Sequence, residues 1–158
     1  MRILMVCLGN ICRSPMAKAI ALERCRLAGF AWDVDSAGTG AWHIGNGADP
    51  RTISECRRRG TPLTHTARQV QAGDFEEFDL ILAMDHRNLA DLESLRPPQG
   101  AWPILLGSFD PVRPDAVIAD PYHDGPEAFA ACYDHLARCI DGLITAAGRD
   151  GTRLLPPR

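Results

Sequence analysis

A chain of 158 residues is long enough for one ordinary domain with its own core, and needs no disulfide staple. With 46% apolar and 23% charged residues it matches neither a disordered segment nor a coiled coil. A formal charge of -3 and a pI near 5.9, with arginines scattered apart from a run at 57–59 that reads as a solvated helix end, exclude a basic footprint for nucleic acid.

Residues 2–6 are a near-continuous apolar run, the pattern of a strand covered on both faces. The run is too short for the core of a signal peptide, and no stretch approaches the roughly 18 apolar residues of a membrane span. A cytoplasmic protein with no membrane contact is therefore expected. Arg13-Ser14-Pro15 opens a helix, with Ser14 as its N-cap, Pro15 at its first position and a stripe of Met16, Ile20, Cys25 and Leu27 ending near Gly29. Residues 32–36 alternate like a strand, and a long glycine-rich loop follows over 37–47. Asp49-Pro50 opens a second helix that runs through Ile53 and Cys56 to Gly60.

Residues 80–84 form a fully apolar strand, and Asp85 starts a helix through Leu89, Leu92 and Leu95 that Pro97-Pro98 stops. Residues 102–106 read as a fourth strand. The proline-rich stretch 110–125 has no period and reads as a loop. Pro126 then starts a last helix striped by Phe129, Tyr133, Leu136, Ile140, Leu143 and Ile144. The tail at 154–158 is expected to fray. Alternating strands and helices predict an α/β fold: a four-stranded parallel sheet with helices on both faces, in a flavodoxin-like three-layer α/β/α arrangement. One domain is expected over 1–158, with its core over about 1–147. In such sheets ligands sit at the carboxyl ends of strands, where Cys7 lies.

The six cysteines lack a secretory context and read as reduced thiols. Cys25, Cys56, Cys132 and Cys139 read as small buried hydrophobes. Cys7 and Cys12 fit metal spacing only loosely and no second ligand pair accompanies them, so no metal is expected. The Cys7 to Arg13 spacing recurs at Cys132 and Arg138, but there it falls inside a helical stripe and is chance. Around Cys7 the context differs. A strand end is followed by Leu8, then Gly9 and Asn10, which can adopt positive φ, then Ile11, Cys12 and a helix start at Arg13.

Such a loop can turn successive backbone N–H groups inward as an anion nest, reinforced by the helix dipole. The same field favours an ionised sulfur at Cys7, a ready nucleophile. Arg13 offers a planar fork for two phosphoryl oxygens. The nucleotide-binding pattern G-x-x-x-x-G-K-[ST] is absent. Attack on phosphorus also needs an acid for the departing oxygen, and Asp49-Pro50, Asp110-Pro111 and Asp120-Pro121 all offer an aspartate held extended by proline. Spacing does not choose among them.

At these residues the chain resembles the low-molecular-weight protein tyrosine phosphatases. "VCLGNICRSP" is similar to their Cys-x5-Arg-Ser/Thr phosphate loop, and "DSAGTGAW", "DPR", "THTARQV", "LILAMDHRNL", "LLGSFDP" and "DPYHDGPEAF" follow in the same order. The resemblance implies hydrolysis of protein phosphotyrosine through a cysteinyl-phosphate, with no cofactor. It implies Cys7 as nucleophile, Arg13 as phosphoryl ligand, Ser14 as hydrogen-bond partner of the sulfur and Asp120 as acid and then base. It further implies Asn10, Ser36 and His65 as supports of the loop, Trp42 and Tyr122 as walls of the aryl slot, and Cys12 as a redox trap for oxidised Cys7.

A phosphotyrosine protein, a tyrosine kinase among the candidates, is the implied partner of a monomer or weak dimer. The chain departs from the family at His123 and Asp124, where many relatives read "DPYYG", and at Lys18, where an acidic residue is common. Arsenate reductases with this loop need two further cysteines that "LILAMDHRNLADLESL" lacks. Protein-arginine phosphatases carry threonine where this chain has Ile11. A catalytically dead phosphopeptide-binding module would not need Asp120.

Overall fold

β1 (Arg2–Cys7) runs through the middle of a parallel sheet of order β2-β1-β3-β4, beside β2 (Asp33–Gly38) and β3 (Leu80–Ala83), with β4 (Pro103–Leu105) at the far edge. The computed structural model describes residues 1–148 and Leu154. The frayed tail expected at 154–158 otherwise lies outside the described residues, and Leu154 packs partly buried against the main apolar cluster. Alternation along β1 sends Ile3, Met5 and Cys7 toward α1 (Arg13–Ala28) and α5 (Pro126–Ala147), and Leu4 and Val6 toward Phe75, Ile81, Ala83 and Leu92 of α4 (His86–Leu95). Burial on both faces explains the unbroken apolar run, since each such side chain contributes about 1.5–3 kcal/mol.

β2 runs on to Gly38 rather than stopping at 36, because Ala37 and Gly38 pair with Val6 and Cys7. Ser14 is not the N-cap of α1. Cys12 occupies that position without a side-chain cap, while the Ser14 hydroxyl is engaged by Cys7 and Asn10. Pro15 consequently sits third in the helix, where its missing N–H is still one of the unpaired first-turn donors. Leu27 is 63% exposed, since two residues beyond Cys25 means a rotation of about 200° off the buried stripe.

The helix starts at Asp49 and Asp85 hold. Each carboxylate accepts a first-turn N–H, from Arg51 into α2 (Pro50–Arg58) and from Asn88 into α4, both at 2.8 Å. α3 (Asp74–Glu77) was not expected, as four residues are too few for a period to show. β4 is shorter than 102–106. Trp102 stands exposed under the Arg96 guanidinium, and Leu106 begins a 3₁₀ turn (Leu106–Phe109). The arginine run is less solvated than expected, because Arg58 and Arg59 both grip Glu55 and Arg59 reaches Asp134 on α5.

Cys25, Cys56, Cys132 and Cys139 are buried as expected, and burial pushes the first two thiols to about 11 and the last two to about 12. Arg138 has its own task. Its guanidinium holds both carboxylate oxygens of the fully buried Asp110, at 2.9 and 2.8 Å, so its distance from Cys132 in sequence is indeed chance. That pairing, opposed by burial and helped by the Val112 N–H, keeps the Asp110 carboxyl well below the usual carboxylate range.

A depressed carboxyl contributes stability above its unfolded pKa and loses it as pH falls. Asp110→Asn is expected to destabilise the fold by about 1–3 kcal/mol at pH 7 in urea melts, with the gap to the parent narrowing below about pH 4. Equal melts at pH 7 would contradict this role. Among the described residues no helix is long and apolar enough to cross a membrane.

Candidate active site

The loop between Cys7 and α1 is shaped from outside. Five of the six carbonyls from Cys7 to Cys12 are taken: Cys7 O by Thr39 N, Leu8 O by Gly40 N, Asn10 O by His65 Nε2, Ile11 O by Asp49 N and Cys12 O by Met16 N of the helix itself. In a trans peptide the N–H points opposite its C=O, so pinning these oxygens outward turns the following amides toward the Cys7 sulfur. α1 adds the positive end of its dipole, with no acidic residue in its first turn.

Only Asn10, at φ 55°, takes a left-handed conformation, whereas Gly9 does not. Gly9 serves for space instead, because a Cβ there would sit 3.1 Å from His43 Cδ2. Gly38 does the same at the end of β2, where a Cβ would lie 2.8 Å from Leu8 O. A left-handed non-glycine residue stores about 1–3 kcal/mol, and Asn10 is fixed on every side. Its Nδ2 donates to Ser14 Oγ at 2.9 Å and Ser36 Oγ at 3.1 Å, and its Oδ1 accepts from Arg68 N at 2.9 Å.

The His65 contact to Asn10 O is 2.6 Å. A carbonyl can only accept, so Nε2 carries the proton. Burial lowers the His65 pKa against the pull of that carbonyl, which favours a neutral ring. Behind His65, a cavity of about 280 Å³ between α1 and the 60–65 segment shares no other residue with this machinery.

Cys7 is 2% exposed, and its Sγ lies 3.0 Å from Ser14 Oγ. Because Asn10 Nδ2 already donates to that oxygen, the serine's own proton goes either to the sulfur or to Ala37 O, 3.4 Å away. Arg13, 3% exposed, is aimed by Asp85 Oδ2 at 2.7 Å and Ile118 O at 3.1 Å, and reaches Asp120 Oδ2 at 3.5 Å. The segment carrying Asp120 is anchored at Ile118, whose N–H bonds Met84 O just past β3.

Farther along, Arg51 clamps the same segment by donating to Tyr122 O at 3.0 Å and Asp124 O at 3.2 Å while bound to Asp49. Cys7, Leu8, Gly9, Ile11, Cys12, Arg13, Trp42, Asp120 and Tyr122 all line one cavity of about 200 Å³ at the carboxyl ends of β1 and β3, where the strand order reverses. Asn10, Ser14, Ser36 and His65 stand behind it.

The walls also contain His43 and His123, and His123 meets the Tyr122 ring edge-on at 4.9 Å. His43, Asp85, Arg51 and Arg68 were missed from sequence. His43 had one available signal, as the neighbour of Trp42 in the same glycine-rich loop. Asp85 had another, as a capping residue at a parallel strand's carboxyl end. Nothing in spacing marks either arginine. Lys18 turns away from the cavity and pairs with Asp35, 2.8 Å away, which Arg68 also holds.

The cavity therefore offers the Cys7 sulfur with Cys12 beside it, a fixed guanidinium, inward amides and a half-exposed carboxyl around a space that suits a tetrahedral oxyanion on an apolar stem. Residues 2–153 match the model of the family described as low molecular weight phosphotyrosine protein phosphatase. The chain is 42% identical over 135 residues to the Drosophila melanogaster low molecular weight phosphotyrosine protein phosphatase 1, covering 84% of this chain and 87% of that one. It is 39% identical over 150 residues to the Homo sapiens low molecular weight phosphotyrosine protein phosphatase, with 92% and 94% covered. The solved structure of a Drosophila arginine phosphatase superposes with a TM-score of 0.88 at 35% identity, over 94% of this chain and 98% of that one.

Proposed function

Because the chain belongs to the low molecular weight phosphotyrosine protein phosphatase family and is a phosphatase, we propose that Cys7, Arg13 and Asp120 hydrolyse protein phosphotyrosine in two displacements at phosphorus. In the first, the Cys7 sulfur forms a bond to phosphorus as the bond to the tyrosyl oxygen breaks. The inward amides and Arg13 hold the three peripheral oxygens, and Asp120 gives its proton to the leaving oxygen. In the second, the Asp120 carboxylate takes a proton from water, whose oxygen displaces sulfur from phosphorus. The Ser14 hydroxyl, 3.0 Å away, stabilises the departing thiolate.

The observation that carries this reading is the convergence of all three groups on one cavity floored by the buried Cys7. Ile11, Trp42 and Tyr122 give that cavity apolar and aromatic walls suited to an aryl ester. Since a solved relative is an arginine phosphatase, the test runs phosphotyrosine peptide, phosphoarginine peptide and arsenate side by side. Turnover of phosphotyrosine, blocked by vanadate, is expected. Turnover confined to either of the others would overturn the substrate.

Cys12 belongs to the same reading as a redox guard. Burial first, then Asp49, push its thiol to about 12, so it stays protonated and does not compete with Cys7 for phosphorus. When peroxide converts Cys7 to a sulfenic acid, Cys12 attacks that sulfur, a disulfide forms and water leaves. Peroxide should inactivate the enzyme and dithiothreitol should restore it, whereas Cys12→Ser should recover poorly. Equal recovery of the two proteins would remove the role. The six unpaired thiols support a reducing, cytoplasmic setting, and the single domain is read as a monomer or weak dimer acting on phosphoproteins that include tyrosine kinases.

A further inference from the structure

We propose that Asp110, His135 and Cys139, outside the Cys7 cavity, form a binding site for one divalent cation of borderline softness, zinc above all, that staples α5 to the 3₁₀ turn before the 110–125 loop. His135 and Cys139 stand four residues apart on one face of α5, and Asp110 follows the turn that packs against that face. One donor atom from each, imidazole nitrogen, sulfur and carboxylate oxygen, lies within 4.8 Å of the others, all buried. Edges a little over 3 Å are what bonds of about 2.0–2.3 Å to a tetrahedral ion require, so small side-chain shifts close the site.

The contact between His135 Nε2 and Asp110 Oδ2 is the second observation. The two atoms are 3.1 Å apart, close enough for an ion pair, yet the buried nitrogen makes no well-aligned hydrogen bond there or elsewhere. A buried ring nitrogen facing a carboxylate without a well-aligned hydrogen bond is uncommon in folded proteins. A cation between them satisfies both lone pairs.

Arg138 does not occupy the needed position. It takes Asp110 Oδ1 through Nε and Oδ2 through Nη2, and Val112 N shares Oδ1, while His135 Nε2 lies 3.1 Å from Oδ2. On binding, the Cys139 S–H proton goes to water as the metal–sulfur bond forms. The thiolate and carboxylate then balance the ion's two charges, with water as a fourth ligand. Arg138 adds a positive charge nearby and keeps the affinity below that of a dedicated zinc finger. Sequence reading passed over this trio because the third ligand is remote and the helical pair is not a Cys-x2-Cys pattern.

The test uses the full chain carrying Cys7→Ser, so that the reactive thiol does not compete. Cobalt(II) is titrated and followed by its sulfur-to-metal charge-transfer band, and zinc binding is measured by calorimetry. One ion per chain is expected, with a zinc-dependent rise in the thermal midpoint. His135→Gln should weaken zinc by at least about tenfold, abolish the thermal rise and leave the fold intact. Cys139→Ala should lose the charge-transfer band. If Cys139→Ala does not fold, His135→Gln decides alone. Unchanged zinc affinity in His135→Gln, or no stoichiometric binding by the parent, overturns the site, and neither result bears on the phosphatase reading.

Discussion

Cys7→Ser is expected to abolish hydrolysis of p-nitrophenyl phosphate, with a loss of at least about 10⁴-fold in kcat, while vanadate or a phosphotyrosine peptide still binds. The reason lies in what the site does not contain. Among the described residues no imidazole or lysine is hydrogen-bonded to the sulfur. Its side-chain hydrogen-bond partner there is the Ser14 hydroxyl at 3.0 Å, which can stabilise a thiolate but cannot deprotonate an alcohol. A serine oxygen placed there stays protonated and is a poor nucleophile. The inward amides and Arg13, fixed by Asp85 at 2.7 Å, are untouched and still hold the oxyanion. Binding and turnover should therefore separate. Robust hydrolysis by Cys7→Ser, measured on protein free of parent enzyme, would end the nucleophile assignment.

Asp120→Ala should lower kcat by about 10² or more, with the loss growing from p-nitrophenyl to phenyl phosphate as the leaving oxygen becomes more basic. The three Asp-Pro pairs that were equivalent on paper are not equivalent in space. Asp49 caps α2 and binds Arg51. Asp110 is buried against Arg138. Asp120 alone of the three lines the cavity, 3.5 Å from Arg13. Asp49→Ala should act only indirectly, by freeing Arg51 from one partner and loosening its hold on Tyr122 and Asp124. Asp110→Ala should act on stability. A leaving-group-dependent loss in either of those variants, with Asp120→Ala unaffected, would show that the acid is misassigned.

Much of the site was legible because its most demanding part is local. A strand end, Asn10, and a helix start within a few residues are enough to specify an anion nest around Cys7. Resemblance then singled out Asp120, which lines the cavity, and Ser36 and His65, which bond Asn10 behind it. Local reading failed where a side chain had two possible employers. Ser14 has the chemistry of an N-cap, but the sulfur and Asn10 compete for its hydroxyl and prevail. Gly9 has the freedom for positive φ, but the room it leaves for His43 is what the loop uses.

The residues that hold the machinery in place were the least visible. Asp85, Arg51 and Arg68 act from 72, 71 and 58 positions away on Arg13, Tyr122 and Asn10. No periodicity or spacing encodes such pairs.

What the sequence determined by itself was the alternation of the four strands with the longer helices, the buried central strand and the Cys7 loop, since each follows from backbone preference and hydrophobic period over short stretches. Only the tertiary structure decided which aspartate reaches the cavity, what aims Arg13, and that His135 and Cys139 meet Asp110. Those depend on contacts between distant segments, and chain distance carries no information about which side chains the packed sheet and helices bring within a few ångströms.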